Sequence, residues 1–245
     1  MSRFSPSDLP VEETLGFVLS ALPAGVRRIL EVGCGRGALA ARLRARGFVV
    51  TALDRSAEEV RRAQESGVPA VVGDFPAYED EPFEAILFTR SLHHLDPLPK
   101  VVERARDLLV PGGTLIAEEF AIERVDRETA RWFYELRSLL EAVGVLPPEA
   151  GGGPLVANPL ERWYEEHADE QPLHEGEDML VTLGRRFELT KVDEAPYLYR
   201  YVCERLEAGD RGARVAQCMF ELESLRIAER SLRAVGLRIV ARKTR

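Results

Sequence analysis

The chain has 245 residues, 45% of them hydrophobic and 30% charged, which suits one large α/β domain or one such domain with an inserted cap. Its 33 Lys and Arg against 41 Asp and Glu leave a net charge of −8, which repels phosphate backbones and argues against a nucleic-acid partner. No apolar run reaches the ~18 residues of a membrane span. Residues 1–10 lack a signal-peptide core, and Cys34, Cys203 and Cys218 show no paired short spacing. The expectation is a cytoplasmic protein with reduced thiols, no membrane partner, and a monomeric or homodimeric state.

In chain order, Asp8 to Leu22 predicts a helix capped by Ser7 or Asp8 and ended by Pro23. Arg28 to Val32 is a short apolar strand that stops at a run of glycines, and Ala38 to Arg46 a helix closed by Gly47. Phe48 to Leu53 is a second strand ending at Asp54, Ala57 to Ser66 a charged helix, and Ala70 to Val72 a third strand running into Gly73-Asp74. Phe83 to Thr89 is a fourth strand and Leu98 to Leu109 a helix. Pro111-Gly112-Gly113 closes that helix before a fifth strand from Thr114 to Glu119. Strands separated by ~10–15-residue helical patterns predict βαβ units and a parallel sheet.

The alternation then stops. Asp126 to Val143 predicts one long helix, 144–159 a Pro/Gly loop with candidate hinges at Gly144 and Gly151 to Gly153, and Leu160 to His167 and Glu177 to Arg186 two short helices. Phe187 to Val192 and Pro196 to Val202 read as strands, Ala213 to Ala234 as a helix, and Gly236 to Lys243 as a last, alternating strand. The domain reading is a core of 1–121 with 187–245, and a helical cap at 122–186 inserted beyond the sheet's carboxyl edge.

The segment Glu31-Val32-Gly33-Cys34-Gly35-Arg36-Gly37 lies where the first strand turns into the first sheet helix. Glycines permit a tight turn and close approach of a ligand, and the helix N-terminus that follows favours a carboxylate. Asp54, seventeen residues past Gly37, can accept from both hydroxyls of a ribose. These residues resemble the class I S-adenosylmethionine-dependent methyltransferases, whose first motif is an acidic residue, any residue, then Gly-x-Gly-x-Gly. The resemblance continues through Asp54, Gly73-Asp74-Phe75, Thr89-Arg90-Ser91-Leu92-His93-His94 and Pro111-Gly112-Gly113, over about residues 20–120. It implies a Rossmann-like doubly wound sheet of seven mostly parallel strands with an antiparallel last strand. It also implies S-adenosyl-L-methionine as cofactor, the ribose held by Asp54, the adenine amino group by Asp74, and an adenine contact from Phe75. The implied cofactor-binding set is Glu31, Gly33, Cys34, Gly35, Gly37, Asp54, Arg55, Asp74, Phe75, Thr89 and Arg90, with Cys34 serving through its backbone. A rival reading stays open, because Gly33-x-Gly35-x-x-Ala38 with Asp54 also satisfies the dinucleotide fingerprint of an NAD(P)-binding oxidoreductase.

Methyl transfer needs an aligned acceptor and a water-poor site, and some acceptors need a general base. His94, then His93, are the base candidates by their position after the fourth strand. Glu118, Trp132, Tyr134 and Trp163, with His94, are candidate substrate contacts, because aromatics with polar tips suit a small, partly apolar acceptor. No metal-ligand pattern is evident, and neither Pro-Cys nor Asn/Asp-Pro-Pro-Tyr/Phe follows the fourth strand. The expected reaction is methylation of an O, N or C atom of a small molecule, an RNA or protein acceptor being the other branch.

Overall fold

The computed structural model of the protein describes residues 5–148, 158–168 and 174–244. Its first half runs α1 (Asp8–Ala21), β1 (Arg28–Val32), α2 (Ala38–Arg44), β2 (Val49–Asp54), α3 (Ala57–Glu65), β3 (Ala70–Val72), β4 (Phe83–Thr89), α4 (Leu98–Leu108) and β5 (Leu109–Phe120). The second half runs α5 (Arg127–Ala142), α6 (Pro159–Glu166), α7 (Gly176–Gly184), β6 (Glu188–Ala195), α8 (Tyr199–Cys203), α9 (Asp210–Ala228) and β7 (Gly236–Arg242). The strands form one seven-stranded sheet in the order β3-β2-β1-β4-β5-β7-β6. β1 to β5 are parallel. β7 runs antiparallel to β5: Gly112 N donates to Lys243 O at 3.2 Å, and Lys243 N to Gly113 O at 2.9 Å. The expected fold class is thus what the chain adopts.

The pleat sends alternate side chains to opposite faces. Ile29, Val50, Ala52, Ala85, Leu87 and Ile116 meet Leu15 and Val18 of α1, Leu39 and Leu43 of α2, and Val60 and Ala63 of α3. Burying each larger aliphatic chain stabilises by about 1.5–3 kcal/mol. α3 starts where it does because the Ser56 side chain accepts from Glu59 N at 3.3 Å. α4 buries Leu98, Val101, Val102, Ala105 and Leu108, a helical-period stripe set against β5 and α7.

Three expectations are corrected. β5 begins at Leu109 rather than Thr114, because Pro111-Gly112-Gly113 form a bulge: Phe83 pairs with Leu109, yet Ala85 already pairs with Thr114. Pro196 to Val202 is not a strand; Tyr199–Cys203 is helical. The Glu223 carboxylate accepts from Tyr197 N (2.6 Å), Leu198 N (3.0 Å) and Tyr199 N (2.8 Å), gathering the donors of a helix start where the sequence read as a strand. α9 stops at Ala228, because Arg230 turns left-handed at φ +57° while Ser231 N and Leu232 N both return to Arg226 O.

The chain divides into two compact units. One comprises Val11–Phe120, Pro172–Asp193 and Leu237–Arg245; the other Met1–Pro10, Ala121–Gln171 and Glu194–Gly236. These boundaries differ from the expected core (1–121 and 187–245) and cap (122–186). α7 packs on α4 and so groups with the sheet, while α8 and α9 pack on each other and group with α5 and α6. The glycine run 151–153, expected as a hinge, lies outside the described residues. Among the described residues no helix is long and apolar enough to cross a membrane.

Candidate functional site

The turn after β1 is built from three left-handed glycines: Gly33 at φ +72°, Gly35 at +51° and Gly37 at +74°. A side chain at Gly33 would have no room, since its Cβ would stand 2.5 Å from Ser91 Cβ. Gly33 N and Cys34 N donate to Leu53 O at 2.8 and 3.1 Å, tying the turn to the end of β2. Asp54 completes the join. One carboxylate oxygen accepts from Gly35 N at 2.8 Å and the other from Ser56 N at 2.9 Å, so this one side chain spans two strand-to-helix turns. Each oxygen keeps lone-pair capacity for a further donor.

Glu31 lies beneath this turn, only 2% exposed. Burial raises its pKa to about 8, against the opposing pull of the Ala40 N–H on α2 and the Arg90 charge, while Asp54 adds to the rise. Its Oε2 has no hydrogen-bond partner among the described residues.

A cavity of about 520 Å³ opens beside the turn. Gly33, Asp54, Arg55, Asp74, Phe75, Arg90 and His94 line it, so seven of the residues expected from sequence meet at one place. Phe75 is buried, its ring edge-on to Phe88 at 5.4 Å. The lining also takes in Ser91, Leu95 and Asp96, which sequence reasoning did not single out as site residues. Ser91 could have been found only through its tertiary closeness to Gly33; Asp96, after two histidines and before Pro97, carried no distinguishing signal.

The loop after β4 is pinned from β5. Glu119, fully buried, accepts from Ser91 N (3.1 Å), Leu92 N (2.8 Å) and His93 Nδ1 (2.5 Å). His93 is therefore buried and occupied, whereas His94 is exposed and lines the cavity. Partial desolvation, then the neighbouring His93 and Arg55, pull the His94 pKa down to about 4. Arg90 adopts φ +63°, with its N–H donating to Glu118 O at 2.7 Å. From outside, His174 N donates to His93 O at 2.9 Å, and its Nε2 bonds Leu95 O at 3.0 Å.

Other expected residues lie elsewhere. Glu118 accepts from the Thr14 hydroxyl and from Arg238 Nε (2.8 Å), a buried clasp between α1 and β7. Trp163 is fully buried between Phe133, His167 and Tyr201, stacked on His167 at 4.1 Å. Tyr134 donates its hydroxyl to Glu166 at 2.8 Å, and Trp132 is half-buried on α5. Thr89 is half-buried at the end of β4 and, like Glu31, Cys34, Gly35 and Gly37, stands outside the cavity lining. The Cys34 thiol, pushed up to about 12 by burial, then by Glu31 and Asp54, is inert as a nucleophile. Among the described residues no cluster of three or more His, Cys, Asp or Glu could hold a metal ion.

The arrangement offers carboxylates for neutral donors, an aromatic wall, two arginines and an unprotonated imidazole in one concave space. Comparison with known proteins places it among relatives. Residues 10–150 match the family described as "Methyltransferase domain". The chain is 37% identical over 105 residues to an uncharacterized methyltransferase of Mycobacterium bovis, covering 40% of this chain and 53% of that one. It is 29% identical over 142 residues to a ubiquinone biosynthesis O-methyltransferase of Xylella fastidiosa, covering 54% and 56%. The chain thus spans about half the length of the curated relatives it matches. Among solved structures, an S-adenosylmethionine-dependent methyltransferase from Mesorhizobium loti shares the fold, with TM-score 0.61, 18% identity, and coverage of 97% and 100%.

Proposed function

Since the chain belongs to the methyltransferase-domain family, matched over more than half its length, we propose that it transfers a methyl group from S-adenosylmethionine to an O, N or C atom of a small organic molecule. The observation that supports this reading best is the convergence of Asp54, Asp74 and Phe75 beside the left-handed glycine turn, around one cavity. The donor set fits the cofactor. Asp54 accepts from ribose hydroxyls, Asp74 accepts from the adenine amino group, and Phe75 gives the base an apolar wall.

When bound, the cofactor supplies a sulfonium methyl that needs no activation by the protein. The chain's part is then to seat the acceptor and keep water out. His94, unprotonated at neutral pH because its pKa is pulled down to about 4, can accept the proton that a hydroxyl acceptor sheds as the methyl group attaches. His93, committed to Glu119, positions the loop instead. The net charge of −8 favours a small acceptor over RNA, and three free thiols suit cytoplasmic residence.

Calorimetric titration with S-adenosylmethionine, S-adenosylhomocysteine and NADH tests this, using the wild type and Asp54→Ala. Both sulfur ligands should bind and lose at least about tenfold in the variant, since a hydrogen bond to a charged group is worth about 1.5–3 kcal/mol. Binding of NADH with neither sulfur ligand would overturn the reading in favour of the dinucleotide enzyme.

A further inference from the structure

A second cavity, of about 370 Å³, lies at the opposite end of the sheet from the first. Arg106 stands in the last turn of α4, just before β5 begins at Leu109. Gly184 to Glu188 carry the chain from α7 into β6, and Thr244 follows β7, which is antiparallel to β5. These residues and Glu103 line it, whereas Asp54, Gly73 and Arg90 of the first cavity follow the carboxyl ends of β2, β3 and β4. The two linings share no residue. Arg106, Arg185 and Arg186 here outnumber Glu103 and Glu188, in a chain whose net charge is −8. Arg186 Nε donates to Glu103 at 2.5 Å, but both partners are exposed, so the pair is weak and can yield to a ligand. Arg106 and Arg185 each stand at the carbonyl end of a helix. Even so, among the described residues neither guanidinium bonds a carbonyl or a carboxylate. The Arg106 Nε is also buried without an acceptor, so nothing offsets the cost of withdrawing it from water.

We propose that this cavity is a second ligand site, which takes a small phosphate monoester whose organic part bears hydroxyl groups. The three terminal oxygens of a phosphate let more than one guanidinium fork engage it, whereas a lone carboxylate fills a single fork. Arg106 and Arg185, lining one space without partners of their own, therefore fit the dianion. Glu103 and Glu188 accept hydrogen bonds and cannot donate them. They suit the hydroxyls of the organic part and repel a second phosphate or carboxylate, which favours a monoester over a diphosphate or a polycarboxylate. The volume of about 370 Å³ falls within the range of small-molecule clefts, with room for several carbons beside the phosphate. The assignment stands independently of what the first cavity binds.

The experiment is calorimetric titration of the full chain with glycerol 3-phosphate, inorganic phosphate and citrate, in low salt at pH about 7.5, where the monoester is a dianion. Glycerol 3-phosphate should bind one to one, at least about tenfold more tightly than either of the others. Arg106→Gln and Arg185→Gln should each weaken it by about tenfold or more, the loss expected of a hydrogen bond between charged groups. Arg61→Gln removes an equal charge from an exposed position on α3 and should leave the affinity unchanged. Equal losses in all three variants would mean diffuse surface charge and overturn the site, as would the absence of binding. Citrate binding as tightly as the ester, or no preference for the ester over inorganic phosphate, overturns the ligand class. Thermal unfolding checks that each variant folds. If one does not, the amide resonances of the wild type decide: glycerol 3-phosphate should shift those of 184–188, and shifts confined to other residues refute the proposal.

Discussion

Gly33→Ala tests whether the cofactor turn is held by contact with the loop after β4. Two separate penalties meet at this position. The left-handed φ of +72° costs a residue with a Cβ about 1–2 kcal/mol, and overpacking the new Cβ against Ser91 Cβ, at 2.5 Å, costs a further 1–3 kcal/mol or so. The total of roughly 2–5 kcal/mol should lower Tm by about 4–20 °C in a chain of this size. Gly47→Ala separates the two, because Gly47 has φ +92° but nothing within 4 Å of its would-be Cβ; it should show the conformational penalty alone. The contact itself has a sharper test. The nearest atom to the would-be Cβ is Ser91 Cβ and not Oγ, which lies at 3.2 Å. Ser91→Gly should therefore rescue Gly33→Ala, with a coupling of about 1–3 kcal/mol in a double-mutant cycle read from urea midpoints. Ser91→Ala should not rescue it, and both Ser91 variants lose the hydroxyl's 2.6 Å bond to Val32 O. Equal behaviour of Ser91→Gly and Ser91→Ala in the cycle would refute the reasoning.

Two further outcomes follow from polar side chains that bond distant backbone groups. Burial raises the Glu223 pKa to about 6 in spite of three backbone donors, so its proton is bound more tightly folded than unfolded. The associated stability is present in full below about pH 4.5 and fades as pH rises through 6. Relative to Glu223→Gln, the wild type should therefore lose about 2 kcal/mol across that window in urea unfolding; a constant difference would refute it. His174→Ala removes the bond to Leu95 O, worth about 0.5–1.5 kcal/mol, so amide exchange over 92–97 should quicken by roughly 2- to 10-fold. Unchanged exchange there would show that the His174 side chain does not hold the loop.

Much of the site was legible because its constraints are local. Gly33, Gly35 and Gly37 announce a left-handed backbone, and Asp54, Asp74 and Phe75 follow directly on strands whose apolar runs are plain. What stayed hidden depends on partners distant in sequence. Tyr197 to Tyr201 alternate as a strand would, and only the Glu223 carboxylate, reached through tertiary packing, makes their start a helix. His93 and His94 read alike as neighbours; Glu119, pairing with one of them, sends one inward and leaves the other at the cavity. Glu118, Tyr134 and Trp163 carry the polar tips expected of acceptor contacts, yet Thr14 and Arg238, Glu166, and a ring cluster occupy them. Residue type showed what these side chains could bind, while the bonds they make inside the protein depend on partners that only the fold brings near.

The place of β7 between β5 and β6 shapes how the molecule is assembled. Although it follows the other six strands in sequence, it is an interior strand, and it joins Lys243 to Gly112 and Gly113 across more than a hundred residues of intervening chain. Until that long loop closes, β5 is an open edge, its N–H and C=O groups unpaired and able to recruit a strand from another molecule. A chain in which β5 had paired with β4 and not yet with β7 would present that edge to other molecules, and a chaperone that shields sheet edges would act there.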